Sequence, residues 1–154
     1  KYLGKPYDET LIQNNKEKFF DHYKFQKHEE KGSFQFAVDG FKLGESDTAA
    51  FTTEELVAMY LKHAKNLADK QTGMNIKDVV LTVPPYYGIP ERIALAEAAQ
   101  LASLKPLAFI HENTAAALYY AIDRKDENKT HTVLLYNLGS TSLKVTLVEF
   151  TMEN

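Results

Sequence analysis

The sequence has no cysteine, and none of its apolar runs is long enough to cross a bilayer. The missing cysteines exclude disulfides and thiolate metal sites, and they leave the redox compartment open. The five histidines, at positions 22, 28, 63, 111 and 131, lack the paired spacing of a metal site, so we predict no metal on them. No signal peptide is visible, which says little because a mature or excised chain would have lost it.

The sequence also lacks a strong excess of either positive or negative charge. The 18 Lys and Arg residues nearly balance the 21 Asp and Glu residues, and the net charge is −3. Without a basic stripe or a run of like charge we predict neither a nucleic-acid partner nor a charged tail. What the chain does have is 154 residues, 44% of them apolar, which is enough for a globular domain with a core.

The first third of the chain predicts a helix and a small antiparallel sheet. The helix covers residues 8–20, and the predicted strands cover 23–25, 34–38 and 41–43. Asp39-Gly40 is predicted to be the tight turn between the last two strands, because this pair accepts the positive φ angles of a two-residue hairpin.

A capping box then predicts a long helix. Thr52 can cap the amide of Glu55 while the Glu55 carboxylate reaches back to Thr52, and the helix is expected to end near Gly73. Six residues at helical spacing predict the buried face: Leu56, Met59, Tyr60, His63, Ala64 and Leu67.

From residue 78 onward strands and helices alternate, which predicts an α/β layer fold. The order is strand 78–83, a helix from Pro90 to residue 101, strand 107–110, helix 114–122, and strands 132–136 and 143–148. The last hairpin would leave an unpaired edge in isolation, which favours a piece of a longer domain.

Two features of this half could carry chemistry. The turn over residues 137–142 combines a glycine with hydroxyl residues between two strands, so its amides could face an anion, although local sequence alone favours a plain structural hairpin. Glu112 lies where a strand ends and a helix begins; it could orient water or a metal-bound phosphate, or only stabilise its own helix. Arg92 is a cation in a first helical turn, so a partner must hold it.

Several motifs taken together resemble the 70-kDa heat-shock protein family, whose pattern includes Thr-Val-Pro-Ala-Tyr-Phe, Gln-Arg, Asn-Glu-Pro-Thr-Ala-Ala-Ala and Asp-Leu-Gly-Gly-Gly-Thr. The matching segments are 82–87 (TVPPYY), 91–92 (ER), 104 (L), 110–117 (IHENTAAA) and 137–142 (NLGSTS). The resemblance is strong from residue 51 to 150 and weaker from residue 3.

This resemblance implies part of an actin-like (ribonuclease H-like) ATPase domain, with a mixed sheet, helices and an appended antiparallel sheet. Residues 1–50 would be the outer subdomain of lobe I, 51–124 the second half of its inner subdomain, and 125–154 the first hairpin of lobe II. The complete protein would bind ATP or ADP with Mg²⁺. The remaining parts of that site would lie outside these 154 residues, so we expect the chain alone to bind no nucleotide and not to be an enzyme.

Individual roles follow from the same resemblance. Pro84 would couple nucleotide state to the rest of the chaperone with Arg92 as its relay partner, and Glu112 would be the carboxylate near the γ-phosphate. The turn would bind phosphate through Asn137, Gly139, Ser140, Thr141 and Ser142.

This chain departs from the family pattern at the metal side of the site. Asn137 and Lys144 replace acids that hold Mg²⁺-bound water, and an amide and an ammonium are poorer at this. Ser140 and Thr141 replace glycines where backbone should approach phosphate. Slow or absent hydrolysis is therefore expected, so the complete protein would be at most a weak ATPase.

Asn113 and the Gly-Ser-x-Ser loop are similar to the large 170-kDa glucose-regulated (hypoxia up-regulated) branch of the endoplasmic reticulum. That branch implies nucleotide exchange on a BiP-like chaperone and binding of unfolded clients, with no membrane partner. A sequon at Asn128 is consistent with the lumen. The alternatives are a cytosolic 110-kDa-type exchange factor, an ordinary ATP-hydrolysing chaperone, and an actin-like sugar or acetate kinase, against which the segment after Glu112 argues.

Overall fold

The computed structural model describes residues 1–19, 23–43, 46–123, 130–140 and 142–151. The helices of this part of the chain are α1 (Glu9–Phe19), α2 (Thr53–Thr72), α3 (Ile89–Leu101) and α4 (Glu112–Asp123). Its strands are β1 (Lys24–Lys27), β2 (Phe34–Leu43), β3 (Ser46–Thr52), β4 (Asp78–Val83), β5 (Lys105–His111), β6 (His131–Leu138) and β7 (Leu143–Phe150). Helices and strands alternate from β4 onward, which confirms the α/β class.

The chain forms two compact units. The first contains Lys1–Val79 and Tyr87–Leu107, and the second contains Val80–Tyr86 and Ala108–Asn154. The strands pair in three sheets, β1-β2-β3, β4-β5 and β6-β7. No helix in the described ranges has the length and apolar character needed to cross a membrane.

Aromatic rings form the core under the first sheet. Tyr2, Ile12 and Phe34 are buried there, and the rings of Tyr2 and Phe34 have centroids 4.8 Å apart. Phe25 and Phe36 pair across β1 and β2 with ring centroids 4.9 Å apart, so an aromatic pair stabilises the register on this face. The predicted helix over residues 8–20 is confirmed as α1, and the short strand near residue 24 as β1.

The predicted turn at Asp39-Gly40 is wrong. Strand β2 runs without interruption from Phe34 to Leu43 and pairs with β3, a strand that the sequence did not indicate. The pairing Asp39↔Thr48 is followed by Leu43↔Ser46, so the register shifts between these points. An irregularity of this kind bends a strand without ending it, and a residue lacking a Cβ suits it, so the Asp-Gly pair belongs to the strand interior.

The capping box of α2 is confirmed. The amide of Glu55 donates to Thr52 Oγ1 at 3.2 Å, and the amide of Thr52 donates to Glu55 Oε2 at 2.8 Å. At the other end Gly73 adopts a left-handed conformation and its amide donates to the carbonyl of Asp69 at 2.9 Å. Both ends of this long helix are therefore fixed by local sequence.

The predicted buried face of α2 is wrong. Met59, Tyr60 and Leu67 are exposed, Tyr60 by 74%, whereas Ala58 and Lys65 are buried. The reason is the neighbour: α2 packs on α3, whose buried residues are the alanines at 94, 98 and 99. A surface of small side chains admits close approach of the small face of α2, and the bulkier stripe lies to one side.

Lys65 ties the end of α2 to the segment that leads into β4. Its ammonium contacts Asp69 Oδ2 at 2.5 Å and Asn75 Oδ1 at 2.8 Å, while the amide of Ile76 donates to Asp69 Oδ1 at 2.8 Å. The hydrogen bond from Lys65, then that from Ile76, holds the pKa of the Asp69 carboxyl below its ordinary value of 3.8. The buried lysine is tolerated here because Asp69 and Asn75 both accept hydrogen bonds from its ammonium.

In the second unit, β6 and β7 form an antiparallel hairpin that packs against α4. The residues facing α4 are half-buried, with Phe150 stacked on His131 at a centroid distance of 5.2 Å. The opposite face exposes three cross-strand apolar pairs, which are Leu134↔Leu147, Tyr136↔Val145 and Leu138↔Leu143. The predicted strands over 132–136 and 143–148 are confirmed.

Substitution of Gly4 is expected to be unfavourable because a side chain there would clash with α3. Gly73 serves as the matched control, since it shares the backbone conformation without the clash. Both Gly4 and Gly73 have left-handed φ angles, +68° and +69°, but a Cβ on Gly4 would lie 2.6 Å from Glu91 Cα, whereas nothing lies within 4 Å of one on Gly73. We expect Gly73→Ala to cost about 1 kcal/mol and Gly4→Ala about 1–3 kcal/mol more. Urea unfolding measures both, and equal losses would show that the close approach to α3 is not formed.

Asp69 is expected to make stability depend on acid. Because its folded pKa is depressed, the carboxylate contributes stability that is fully present above about pH 4 and is lost as the pH falls through the folded value. Asp69→Asn should therefore lower the urea midpoint at pH 7, and the gap to the native chain should close below about pH 4. Asp78→Asn, an exposed aspartate at the start of β4, is the control and should change little. A gap that does not vary with pH would contradict the role of Asp69.

Candidate functional site

Helix α4 begins directly where β5 ends, so a carboxylate stands at the junction. β5 ends at His111 and Glu112 is the first residue of α4, two residues earlier than the predicted start. An acidic residue in the first turn is favoured by the helix dipole, and the small residues that follow it allow the helix to continue. The junction therefore places the Glu112 carboxylate at the amino end of a 12-residue helix.

A lysine from β7 lies against this carboxylate. Lys144 Nζ is 2.5 Å from Glu112 Oε1, and the two side chains are only 19% and 27% exposed. Glu112 Oε1 is buried, and the Lys144 ammonium lies directly against it. The contact is an ion pair that leaves acceptor capacity on the carboxylate and donor capacity on the ammonium.

A second contact fixes the same pair of elements. Asn113 Nδ2 donates to Thr146 Oγ1 at 2.5 Å. Lys144 and Thr146 are two residues apart on β7, so their side chains share the face that packs on α4. The first two residues of α4 thus each contact β7, which holds Lys144 at the helix start.

The turn between β6 and β7 is closed by its own backbone. The amide of Gly139 donates to the carbonyl of Ser142 at 2.9 Å, and Leu138 pairs with Leu143. A Cβ on Gly139 would lie 3.4 Å from the Ser142 carbonyl oxygen, an ordinary contact, so the turn does not require glycine there. Ser140 is exposed and Ser142 half-buried, whereas Thr141 lies outside the described residues. The Gly139 amide is engaged in the hairpin and does not point freely to an anion.

Asn137 lies beside Lys144. The two residues are directly opposite each other in the β6–β7 register, so their side chains leave the hairpin on the same face. Asn137 is exposed. A neutral amide and an ammonium are therefore cross-strand neighbours at the mouth of the turn, and the ammonium contacts the Glu112 carboxylate.

Arg92 lies in the first turn of α3. Arg92 is half-buried; its Nε donates to the carbonyl of Tyr87 at 3.1 Å, so a backbone carbonyl just before the helix holds this first-turn cation. Pro84 directly follows β4 and is half-buried. Their relay stays a prediction. The sequon residue Asn128 lies outside the described residues.

The sequence alone did not point to Asn113 and Thr146 as a structural pair. Asn113 was notable only as a departure from the family's proline, and Thr146 carried no signal beyond strand alternation. The two-residue spacing of Lys144 and Thr146 beside the adjacent pair Glu112-Asn113 was the available signal, but it needs the packing of α4 on β7 to acquire meaning.

An α/β architecture with a carboxylate at a strand–helix junction beside a hydroxyl-rich strand turn is that of a ligand-binding domain whose site lies at strand ends. The chain belongs to the Hsp70 family: the family model described as Hsp70 protein matches residues 1–153. It therefore carries part of a chaperone-family ATP-binding domain, and in that family the domain has the actin-like, ribonuclease H-like fold.

Named relatives agree with this assignment. The chain is 40% identical over 111 residues to Heat shock 70 kDa protein 17 of Arabidopsis thaliana, covering 72% of the chain and 13% of that protein. It is 37% identical over 150 residues to Hypoxia up-regulated protein 1 of Danio rerio, covering 96% of the chain and 14% of that protein. The human protein of the same name is 39% identical over 109 residues, covering 70% of the chain and 11% of that protein. The chain thus spans about a seventh of the length of the first two.

The family implies nucleotide with Mg²⁺, but the side chains at this turn do not suit a magnesium ion. Mg²⁺ is bound through oxygen ligands, chiefly carboxylates with its own waters. The carboxylate of Glu112 is already paired with an ammonium, and Asn137 contributes a neutral amide. In the ranges that the structure describes, no group of three His, Cys, Asp or Glu side chains could hold a metal. Lys144 repels a divalent ion from the position beside Glu112.

The strength of the Lys144–Glu112 pair can be measured against an exposed pair in the same chain. Lys31 and Glu97 are 3.3 Å apart with side chains 55% and 49% exposed. A double-mutant cycle of Lys144→Met and Glu112→Gln should give a coupling energy of about 1–2 kcal/mol, because either single change leaves a partly buried charge unpaired. The cycle of Lys31→Met and Glu97→Gln should give less than about 0.5 kcal/mol. Equal couplings would contradict the ion pair as a structural constraint.

Proposed function

We propose that the full-length protein is a nucleotide-exchange partner and holdase of the Hsp70 family that binds ATP and hydrolyses it slowly or not at all. The observation that carries this proposal is the ion pair between Lys144 and Glu112. The lysine ammonium beside this carboxylate repels a divalent ion, so Glu112 is poorly placed to orient metal-bound water. Catalysis of phosphoryl transfer depends on such positioning and on cationic stabilisation of the phosphates.

The nucleotide would meet this chain at the β6–β7 turn. Asn137, Ser140, Thr141 and Ser142 are proposed to contact phosphate, with Gly139 keeping the turn closed through its bond to Ser142, and Glu112 to face them from α4. The subdomains are proposed to cover residues 1–50, 51–124 and 125–154. Nucleotide state would be passed on through Pro84 and Arg92. The chain alone is expected not to bind ATP.

A lumenal location and a BiP-like partner are part of the proposal, supported by the relatives and a glycosylation signal. Two of the relatives carry the name Hypoxia up-regulated protein 1, which supports the large endoplasmic-reticulum branch. The sequon at Asn128 is compatible with a lumenal surface. On this basis the partner is a 70-kDa heat-shock-type chaperone like BiP, and the clients are unfolded proteins.

Two alternatives differ in chemistry or compartment. An ordinary ATP-hydrolysing chaperone is supported by the name of the Arabidopsis relative, Heat shock 70 kDa protein 17. A cytosolic 110-kDa-type exchange factor would share the slow hydrolysis and differ in location and partner.

Single-turnover hydrolysis by the full-length protein separates the exchange factor from the ordinary chaperone. The native protein should hydrolyse bound ATP slowly, and the double variant Asn137→Asp/Lys144→Asp should gain at least about tenfold, because two metal-side carboxylates are restored. Lys105→Asp, an exposed residue at the start of β5, makes the same charge change as Lys144→Asp and should leave the rate unaltered.

The same preparation should accelerate ADP release from a BiP-like chaperone. Rapid hydrolysis by the native protein, or a rate that the double variant does not alter, would favour the ordinary chaperone. Failure to accelerate ADP release would contradict the exchange function.

A further inference from the structure

Lys144 is a cation built into the chain at the position where this turn would meet phosphate. Only 19% of its side chain is exposed, and the ion pair with Glu112 holds it in place. The geometry points to Lys144 as a replacement for a divalent metal, so that the full-length protein binds the phosphates of ATP equally well with and without Mg²⁺. This inference rests on the proposed function in taking the β6–β7 turn as the phosphate-binding segment.

The ammonium retains donors for a ligand. A lysine ammonium carries three N–H groups, and the contact with the single oxygen Glu112 Oε1 leaves the others for a ligand. Phosphate oxygens accept charge-assisted hydrogen bonds from such a group, which acts on them as a point charge. The ion pair positions the ammonium without using all of its hydrogen-bonding capacity.

Asn137, like Lys144, favours direct contact with phosphate over binding of a metal ion. Lys144 and Asn137 are opposite each other on one face of the hairpin, and both side chains can donate hydrogen bonds. Two carboxylates at these positions would repel phosphate unless a divalent ion stood between them. An amide and an ammonium can contact phosphate directly, and the ammonium repels a divalent ion from the same place.

The position of the ammonium is fixed before a ligand arrives. Asn113 Nδ2 holds Thr146, two residues beyond Lys144 on the same strand face, at 2.5 Å. A charge that is already desolvated and oriented loses little freedom when it binds an anion. The paired carboxylate keeps the local net charge near zero, so the predicted attraction is local to the phosphates and not a property of the whole surface.

Equilibrium titration of the full-length protein with ATP tests this inference, once in excess MgCl₂ and once in excess EDTA. The native protein should show dissociation constants that agree within about threefold. The double variant Asn137→Asp/Lys144→Asp should lose more than about tenfold of its affinity in EDTA and recover it with MgCl₂. Lys105→Asp is the control for charge and should behave as the native protein.

Two single variants keep the test decisive if the double variant does not fold. Lys144→Arg keeps the cation and should retain binding in EDTA, whereas Lys144→Met should lose at least about tenfold in EDTA. Circular dichroism and thermal melting establish that each variant is folded. A native protein whose affinity falls by more than about tenfold in EDTA, or which binds ATP in neither condition, overturns the inference.

The hydrolysis and exchange assays distinguish this outcome from failure of the proposed function. Slow hydrolysis with metal-dependent ATP binding would contradict the proposal that Lys144 replaces the metal, and it would remain consistent with the proposed exchange function. Rapid hydrolysis with metal-independent ATP binding would contradict the proposed exchange function, and it would remain consistent with the proposed role of Lys144.

Discussion

The ammonium of Lys144 lies 2.5 Å from the carboxylate that begins α4, and the local structure of the second unit is organised around this contact. The pair joins the start of a helix to the turn end of a hairpin, and the neighbouring bond from Asn113 to Thr146 makes a second connection between α4 and β7. Leaving either charge unpaired at this degree of burial is unfavourable, by about 1–2 kcal/mol of coupling energy, so each residue stabilises the other. The same contact puts a positive charge beside Glu112, and the proposed function and the proposed role of Lys144 both rest on that charge.

In the proposed function, an Hsp70-family domain with this ion pair binds nucleotide without hydrolysing it efficiently, although the two properties usually occur together. Binding of nucleotide phosphates needs donors and positive charge, which Lys144, Asn137 and the hydroxyls of the turn can supply. Hydrolysis needs in addition a carboxylate free to orient water and a metal to neutralise the developing charge. In the proposed function the turn supplies the first set, whereas the carboxylate that would serve the second is paired with Lys144. A protein of this kind can use nucleotide to stabilise one conformation without consuming it, which suits a partner that acts on another chaperone.

Local signals predicted most of the secondary structure, and tertiary contacts explain the exceptions. The capping box at Thr52 and Glu55, the left-handed Gly73 and the proline near the start of α3 act within a few residues, so α2 and α3 were placed correctly. The Asp39-Gly40 turn failed because pairing with β3 overrides a local turn preference. The buried face of α2 failed because the alanines of α3 select which side chains can approach. The resemblance pointed to Lys144 as a departure, but its contact with Glu112 depends on how α4 packs on β7 and was not visible in the sequence.

Anomalous diffraction from crystals of the full-length protein grown with ATP and Mn²⁺ addresses the central claim most directly, because it locates the divalent ion and the Lys144 ammonium in the same experiment. The account predicts Lys144 Nζ within hydrogen-bonding distance of both a phosphate oxygen and Glu112, with no manganese peak between Glu112 and the phosphates. A manganese ion bridging Glu112 to the phosphates, with Lys144 turned away, would contradict it.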